Sequence, residues 1–133
     1  MTIRTIARCL AGLLAASALL WPATAAAEYF DTQSHNLVCA VAPDPTLRGD
    51  EVVCQGEFTQ ALPAGGSPVT AGDGTFHWEL GNLDVGQPIT AMAYGQTYHH
   101  GNWTIYPAET GIRFVNDHTS HGMFVSFENV YSF

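Results

Sequence analysis

Hydrophobic and polar positions alternate most clearly near the end of the chain. In residues 111–116 (GIRFVN), Ile112 and Phe114 share one side of an extended segment; in residues 122–127 (GMFVSF), Met123, Val125 and Phe127 do the same. A period of two marks half-buried strands, and the polar run Asp117-His118-Thr119-Ser120-His121 between them reads as a hairpin turn. Upstream, residues 36–42 (NLVCAVA) and 51–58 (EVVCQGEF) are short β-prone runs. The intervening segment 43–50, with two prolines and a glycine, reads as a loop. Residues 61–74 (ALPAGGSPVTAGDG) are too rich in Pro and Gly for a regular element and are expected to form an exposed, mobile loop. Residues 75–80 (TFHWEL) resume the extended pattern before a turn at Gly81-Asn82. Residues 89–94 and 102–106 are further strands, joined by a polar, aromatic-bearing loop at 95–101 (GQTYHHG). Nothing after residue 27 has helical periodicity with caps. The prediction is one all-β domain of about seven or eight short antiparallel strands, closed as a small barrel or stacked as a sandwich.

The opening of the chain follows a different pattern. Arg4 and Arg8 precede an apolar stretch from Leu10 to Trp21, then Pro22 and the small-residue run Ala23-Thr24-Ala25-Ala26-Ala27. This is the layout of a secretory signal peptide, residues 1–27, cut after Ala25-x-Ala27 to leave a domain of residues 28–133. The apolar stretch is short for a bilayer span, and no stop-transfer pattern follows it. Cys9 lacks the small-residue context of a lipoprotein cleavage site, so no membrane anchor is expected after cleavage. The predicted address is secreted, extracellular or cell-wall.

Cleavage changes the charge balance. All 12 acidic residues lie after residue 27, two of the four arginines leave with the signal, and the chain has no lysine, giving the 106-residue remainder a formal charge of −10. Such a surface repels nucleic acid and anionic membranes. A domain of that size buries one core with a thin margin of stability. Cys39 and Cys54 remain, and their spacing fits neither a C-x-x-C redox pair nor a zinc knuckle. In an exported domain they are expected to form one disulfide across the 36–58 hairpin, closing a loop of about 15 residues and contributing about 3 kcal/mol in the chain-entropy model.

Several short motifs occur in a characteristic order. Phe30 is followed by Asp31-Thr32-Gln33-Ser34-His35, then Asn36-Leu37-Val38-Cys39 and Val52-Val53-Cys54. Tyr94-Gly95 lies in the middle, and Gly111-Ile112-Arg113-Phe114, Asn116, His121-Gly122-Met123-Phe124, Tyr131 and Phe133 close the chain. This order resembles a family of small exported or lipid-anchored actinobacterial proteins, mycobacterial ones among them, grouped as a domain of unknown function. Its members carry two further cysteines, at positions that correspond here to Thr104 and Phe114. The resemblance implies that these two face each other across neighbouring strands, about 4 to 6 Å apart at Cα. It implies compartment and fold class, and no activity.

Six histidines follow the signal, four of them in two predicted loops: His99-His100 and His118-x-x-His121. Loop imidazoles that meet in space can hold zinc or copper, with Asp117 or Glu109 as an oxygen ligand. The bland alternative is solvated loop residues, with His121 capping the turn before Gly122. None of Ser34, Ser67, Ser120, Ser126 or Ser132 lies in a G-x-S-x-G elbow. The carboxylates Asp50, Glu51, Glu57, Glu79 and Asp84 show no pairing signature of a glycosidase. The glycines form no phosphate-binding fingerprint, and the glycosylation sequon Asn102-Trp103-Thr104 reads as incidental. The aromatic residues Trp78, Trp103, Tyr94, Tyr98, Tyr106 and Tyr131, in or beside strands, are further candidates, some of them needed in the core, where Trp78 and Trp103 are expected. Tyr98 is expected at the surface, making a ligand patch with His99 and His100 or covering one mouth of the fold.

The sequence therefore predicts a secreted, non-enzymatic binding protein of the cell envelope or exterior. Its partner would be a protein, a glycan or a small ligand met through the loops around His99-His100 and His118-His121. A metal-binding protein using those four histidines is the alternative, and a small hydrolase a third. An exposed aromatic patch would favour the first, a converged histidine cluster the second, and a histidine about 3 Å from a nucleophile in a concavity the third.

Overall fold

β-branched and aromatic residues fill the short runs between turn-forming positions, and they are the side chains best suited to a pleated, half-buried surface. The computed structural model describes residues 27–34, 36–43, 50–81, 83 and 88–133. Among them every regular element is a strand: β1 (Glu28–Asp31), β2 (Val38–Pro43), β3 (Asp50–Gln55), β4 (Ser67–Ala71), β5 (Phe76–Glu79), β6 (Ile89–Ala91), β7 (Tyr98–His100), β8 (Trp103–Ala108), β9 (Gly111–Asn116), β10 (Gly122–Val125) and β11 (Val130–Ser132). Six form one sheet in the order β5-β4-β3-β2-β1-β6, and five form a second in the order β11-β10-β9-β8-β7. Neither closes on itself, so the all-β fold is a sandwich rather than a barrel. There are more strands than the sequence suggested, and one pair, β1 with β6, is parallel. Residues 1–26 of the expected signal, His35, and residues 44–49 of the expected loop lie outside the described residues.

Both sheets supply one core. Trp103 and Ile105 of β8, Ile112 and Phe114 of β9, and Met123 and Val125 of β10 meet Phe30, Val41 and Val52 of the first sheet. The alternation at 112/114 and 123/125 thus points inward as read. Each large side chain so buried contributes about 2 kcal/mol. Trp78 is half-buried, tilted against Phe58 and edge-on to Phe76. Cys39 lies opposite Cys54 in the β2–β3 ladder, and the two are bonded. The disulfide is consistent with an extracellular location.

Three expectations need correction. The 61–74 segment is not all loop, because it contains β4, buried along its whole length between β3 and β5. Pro68 is tolerated because the β3 partners begin only at Val69, so its missing N–H breaks no bond of that ladder. The 95–101 segment contains β7, the edge strand of the second sheet. Finally, Phe114 lies opposite Ile105, and Thr104 lies opposite Val115. A shift of one residue reverses the side chain's face. Phe114 therefore joins the core while Thr104 takes the outward side of the same sheet.

The outward sides of the two sheets differ. On the first, directly paired Ala40, Val53 and Val69 alternate with the core-facing Val41, Val52 and Cys54. Although they point away from the core, Ala40 and Val69 are only 2% and 1% exposed. The β5–β6 connection joins opposite edges of this sheet, and Leu83, one of its described residues, donates its N–H to Gln55 Oε1 on the outward side, 2.9 Å away. Among the described residues no such crossing lies on the outward side of the second sheet.

Candidate functional site

That open side is built from four strands in register. Tyr106 of β8 lies opposite Arg113 of β9, Arg113 opposite Phe124 of β10, and Phe124 opposite Tyr131 of β11. Their parity is opposite to that of the core residues Ile105, Ile112, Met123 and Val125, so all four project outward. Phe133 extends the pattern by exchanging both backbone hydrogen bonds with Gly122. Tyr106 and Tyr131 are 45% and 46% exposed. The Phe124 and Tyr131 rings stack with centroids 5.3 Å apart, and the Arg113 guanidinium carbon sits 4.0 Å from the centre of the Phe133 ring. Among the described residues Arg113 makes no ion pair.

Two glycines make room for these rings. A Cβ at Gly111 would lie 2.5 Å from Phe124 Cζ, and the residue's φ of +149° is one that other residues rarely adopt. A Cβ at Gly122 would lie 1.8 Å from the Phe114 carbonyl oxygen and 3.0 Å from Phe133 Cζ. Aromatic side chains laid over strand glycines restore the cover that the missing side chain would have given the backbone. Phe124 and Phe133 are thus seated against the sheet, leaving Tyr106, Arg113 and Tyr131 most open to solvent.

The histidines are dispersed. Strand alternation sends His99 outward, opposite Thr104, and His100 inward, opposite Trp103. His100 Nδ1 is 2.6 Å from Glu28 Oε2, and its ring meets Phe30 edge-on. His118 Nε2 is 3.0 Å from Asn102 Oδ1, and His121 Nδ1 is 3.1 Å from the Phe133 carbonyl oxygen. The His121 ring also lies against Gly74, and Thr119 Oγ1 donates to the Gly72 carbonyl. The 117–121 turn, expected as such, therefore docks on the β4–β5 turn. Among the described residues no three of His, Cys, Asp and Glu gather as a metal-ligand set. The expected convergence of His99, His100, His118 and His121 is not formed, since each imidazole has its own local partner and two point to opposite sides of one strand.

The predicted patch of Tyr98, His99 and His100 divides in the same way. Tyr98 packs against the core, edge-on to Phe30, and its hydroxyl accepts the Ala93 N–H at 2.8 Å. It covers part of the sandwich, while His99 alone faces outward. His99 Nδ1 lies 3.1 Å from Thr104 Oγ1, which donates to Asp117 Oδ1 at 2.6 Å. With the hydroxyl proton given to Asp117, Thr104 accepts from His99 Nδ1–H, a tautomer assigned from the network. A hydrolytic triad needs the imidazole between hydroxyl and carboxylate; here the hydroxyl is in the middle, on a buried threonine. A separate cleft of about 190 Å³ is lined by Thr32, Ser34, Tyr94, Glu109 and Glu128 among others, and by no described histidine.

Comparison of the chain with protein-family models, with curated proteins and with solved structures returns no match. The fold and the site define a two-sheet, disulfide-stapled sandwich with one aromatic outward face. Sequence reasoning picked out Tyr106 and Tyr131 only as aromatic candidates in or beside strands, and missed Arg113, Phe124 and the alignment of all four in one face. The available signal was a break in alternation: Phe124 lies between the core residues Met123 and Val125, where a solvated strand would carry a polar side chain.

Proposed function

We propose that this chain is an exported, non-enzymatic binding protein of the actinobacterial cell envelope or exterior, and that it engages its partner through the outward face of its second sheet. The observation that carries this reading is the row Tyr106–Arg113–Phe124–Tyr131 with Phe133 beside it. It places large aromatic side chains at the surface of a domain small enough to need them in its core. Contiguous exposed aromatic surface marks interaction sites, and Tyr and Arg are the side chains most enriched at their energetic centres. The signal-like residues 1–27 and the Cys39–Cys54 bond support the address. The motif order around Phe30, Cys39, Cys54 and Gly111 supports the actinobacterial setting.

Co-sedimentation with an insoluble actinobacterial envelope fraction tests the reading. The native protein should pellet with the fraction, a Tyr106→Ala/Tyr131→Ala variant with an unchanged unfolding midpoint should stay in solution, and His77→Ala on the first sheet should behave as native. Equal pelleting of native and double variant would remove the open face from the account.

A further inference from the structure

Resting on that reading of the open face, we infer that its ligand is a glycan strand in which isolated carboxylate-bearing sugars are set among neutral pyranoses. The row from Tyr106 to Tyr131 crosses four strands and so runs about 14 Å, a length suited to a short stretch of extended chain rather than to a single small molecule. Its chemistry is mixed in a particular way. Aromatic faces carry partial negative charge, which suits the weakly positive C–H face of a pyranose. The Tyr106 and Tyr131 hydroxyls, each able to donate and accept, suit sugar hydroxyls. Arg113, held over the Phe133 ring, presents a planar fork of donors that matches a carboxylate.

Charge narrows the class further. The chain carries 12 acidic residues and a formal charge of −8, yet no outward position of β8 to β11 is Asp or Glu. Acidic residues are thus kept off the strands that surround the one arginine of the face. A dense polyanion would still meet the repulsion of the whole molecule. A wholly neutral strand would use the guanidinium only as an N–H donor to sugar hydroxyl oxygens. A single carboxylate with neutral neighbours satisfies Arg113 and the aromatic row together, with much less long-range repulsion than a polyanion meets.

The test compares three defined oligosaccharides by calorimetry on the purified protein: xylotetraose, a xylotriose bearing one 4-O-methylglucuronate, and trigalacturonate. The singly charged sugar should bind about tenfold more tightly than xylotetraose, the difference that one charge-assisted hydrogen-bonded pair supplies, and more tightly than trigalacturonate. Arg113→Gln should bring the singly charged sugar and xylotetraose to equal affinity. Tyr131→Ala, with its unfolding midpoint unchanged, should weaken both. Equal affinities in the native protein, or a preference that survives Arg113→Gln, would overturn the inference. So would a dimer in sedimentation velocity that Tyr131→Ala dissolves and the sugars do not, because a second copy would then be the occupant. If no sugar binds while the envelope fraction still retains the native protein and releases the Tyr106→Ala/Tyr131→Ala variant, only the glycan assignment falls. If the fraction also retains the variant, the binding face falls with it.

Discussion

The two sheets use the same alternation to opposite ends on their outward sides. The first sets small aliphatic residues at the centre of that side, and Ala40, Val69 and Ala71 are almost fully buried there, with polar residues such as Glu51, His77 and Glu79 around them. The second sets Tyr106, Arg113, Phe124 and Tyr131 across its own and leaves them open. Burying an aromatic side chain contributes about 2 kcal/mol, and a small domain has few such side chains to spare. Small residues under a cover and large residues without one separate a face that serves stability from the face proposed above for contact. The glycines sharpen the difference: Gly111 and Gly122 lie under the rings of Phe124 and Phe133, which settle on the sheet while their neighbours stay exposed.

The largest effect should come from putting a charge on each outward side in turn. Val69→Asp buries an unpaired carboxylate and should cost about 4 kcal/mol in urea denaturation, whereas Tyr106→Asp on the open side should cost less than about 1 kcal/mol. Equal losses would mean that the faces do not differ in cover. Removing the staple with Cys39→Ala and Cys54→Ala together should cost about 3 kcal/mol. Hydrogen exchange should then rise first in β2 and β3, and a rise first in β9 and β10 would contradict the assignment of the staple to the first sheet. Gly122→Ala drives a Cβ into the Phe114 carbonyl and should cost about 2 kcal/mol while also unseating Phe133. A fully stable variant that still pellets with the envelope fraction would show that the close seat is unnecessary. Smallest in stability is Tyr131→Ala, with a change below about 1 kcal/mol but loss of retention by the fraction.

Much of the fold was legible in the sequence because its signals are local. A period of two over 111–116 and 122–127 sets the final hairpin, and two cysteines on adjacent β-prone runs point to one bridge. β4 was hidden because Pro and Gly were weighed without knowing where the ladder to β3 begins. β7 was hidden by its length of three residues between turn-forming neighbours. The register of β8 against β9 could not be read from the cysteines of resembling proteins, because a slip of one residue leaves their spacing nearly unchanged while reversing the face of Thr104. The outward face of the second sheet was harder still. Tyr106, Arg113, Phe124 and Tyr131 are scattered over four strands, and only the pairing of those strands puts them in one row. The loop histidines drew attention because they are adjacent in sequence, but adjacency along a strand sends His99 and His100 to opposite sides.

Hydroxyl-radical footprinting of the native protein, free and bound to the envelope fraction, tests the central claim most directly, because aromatic side chains report their own exposure. Protection should be confined to Tyr106, Phe124, Tyr131 and Phe133, with Tyr29 and Phe76 of the first sheet labelled equally in both states. Unchanged labelling of that row, with protection appearing at Tyr29 or Phe76 instead, would contradict the assignment of recognition to the second sheet.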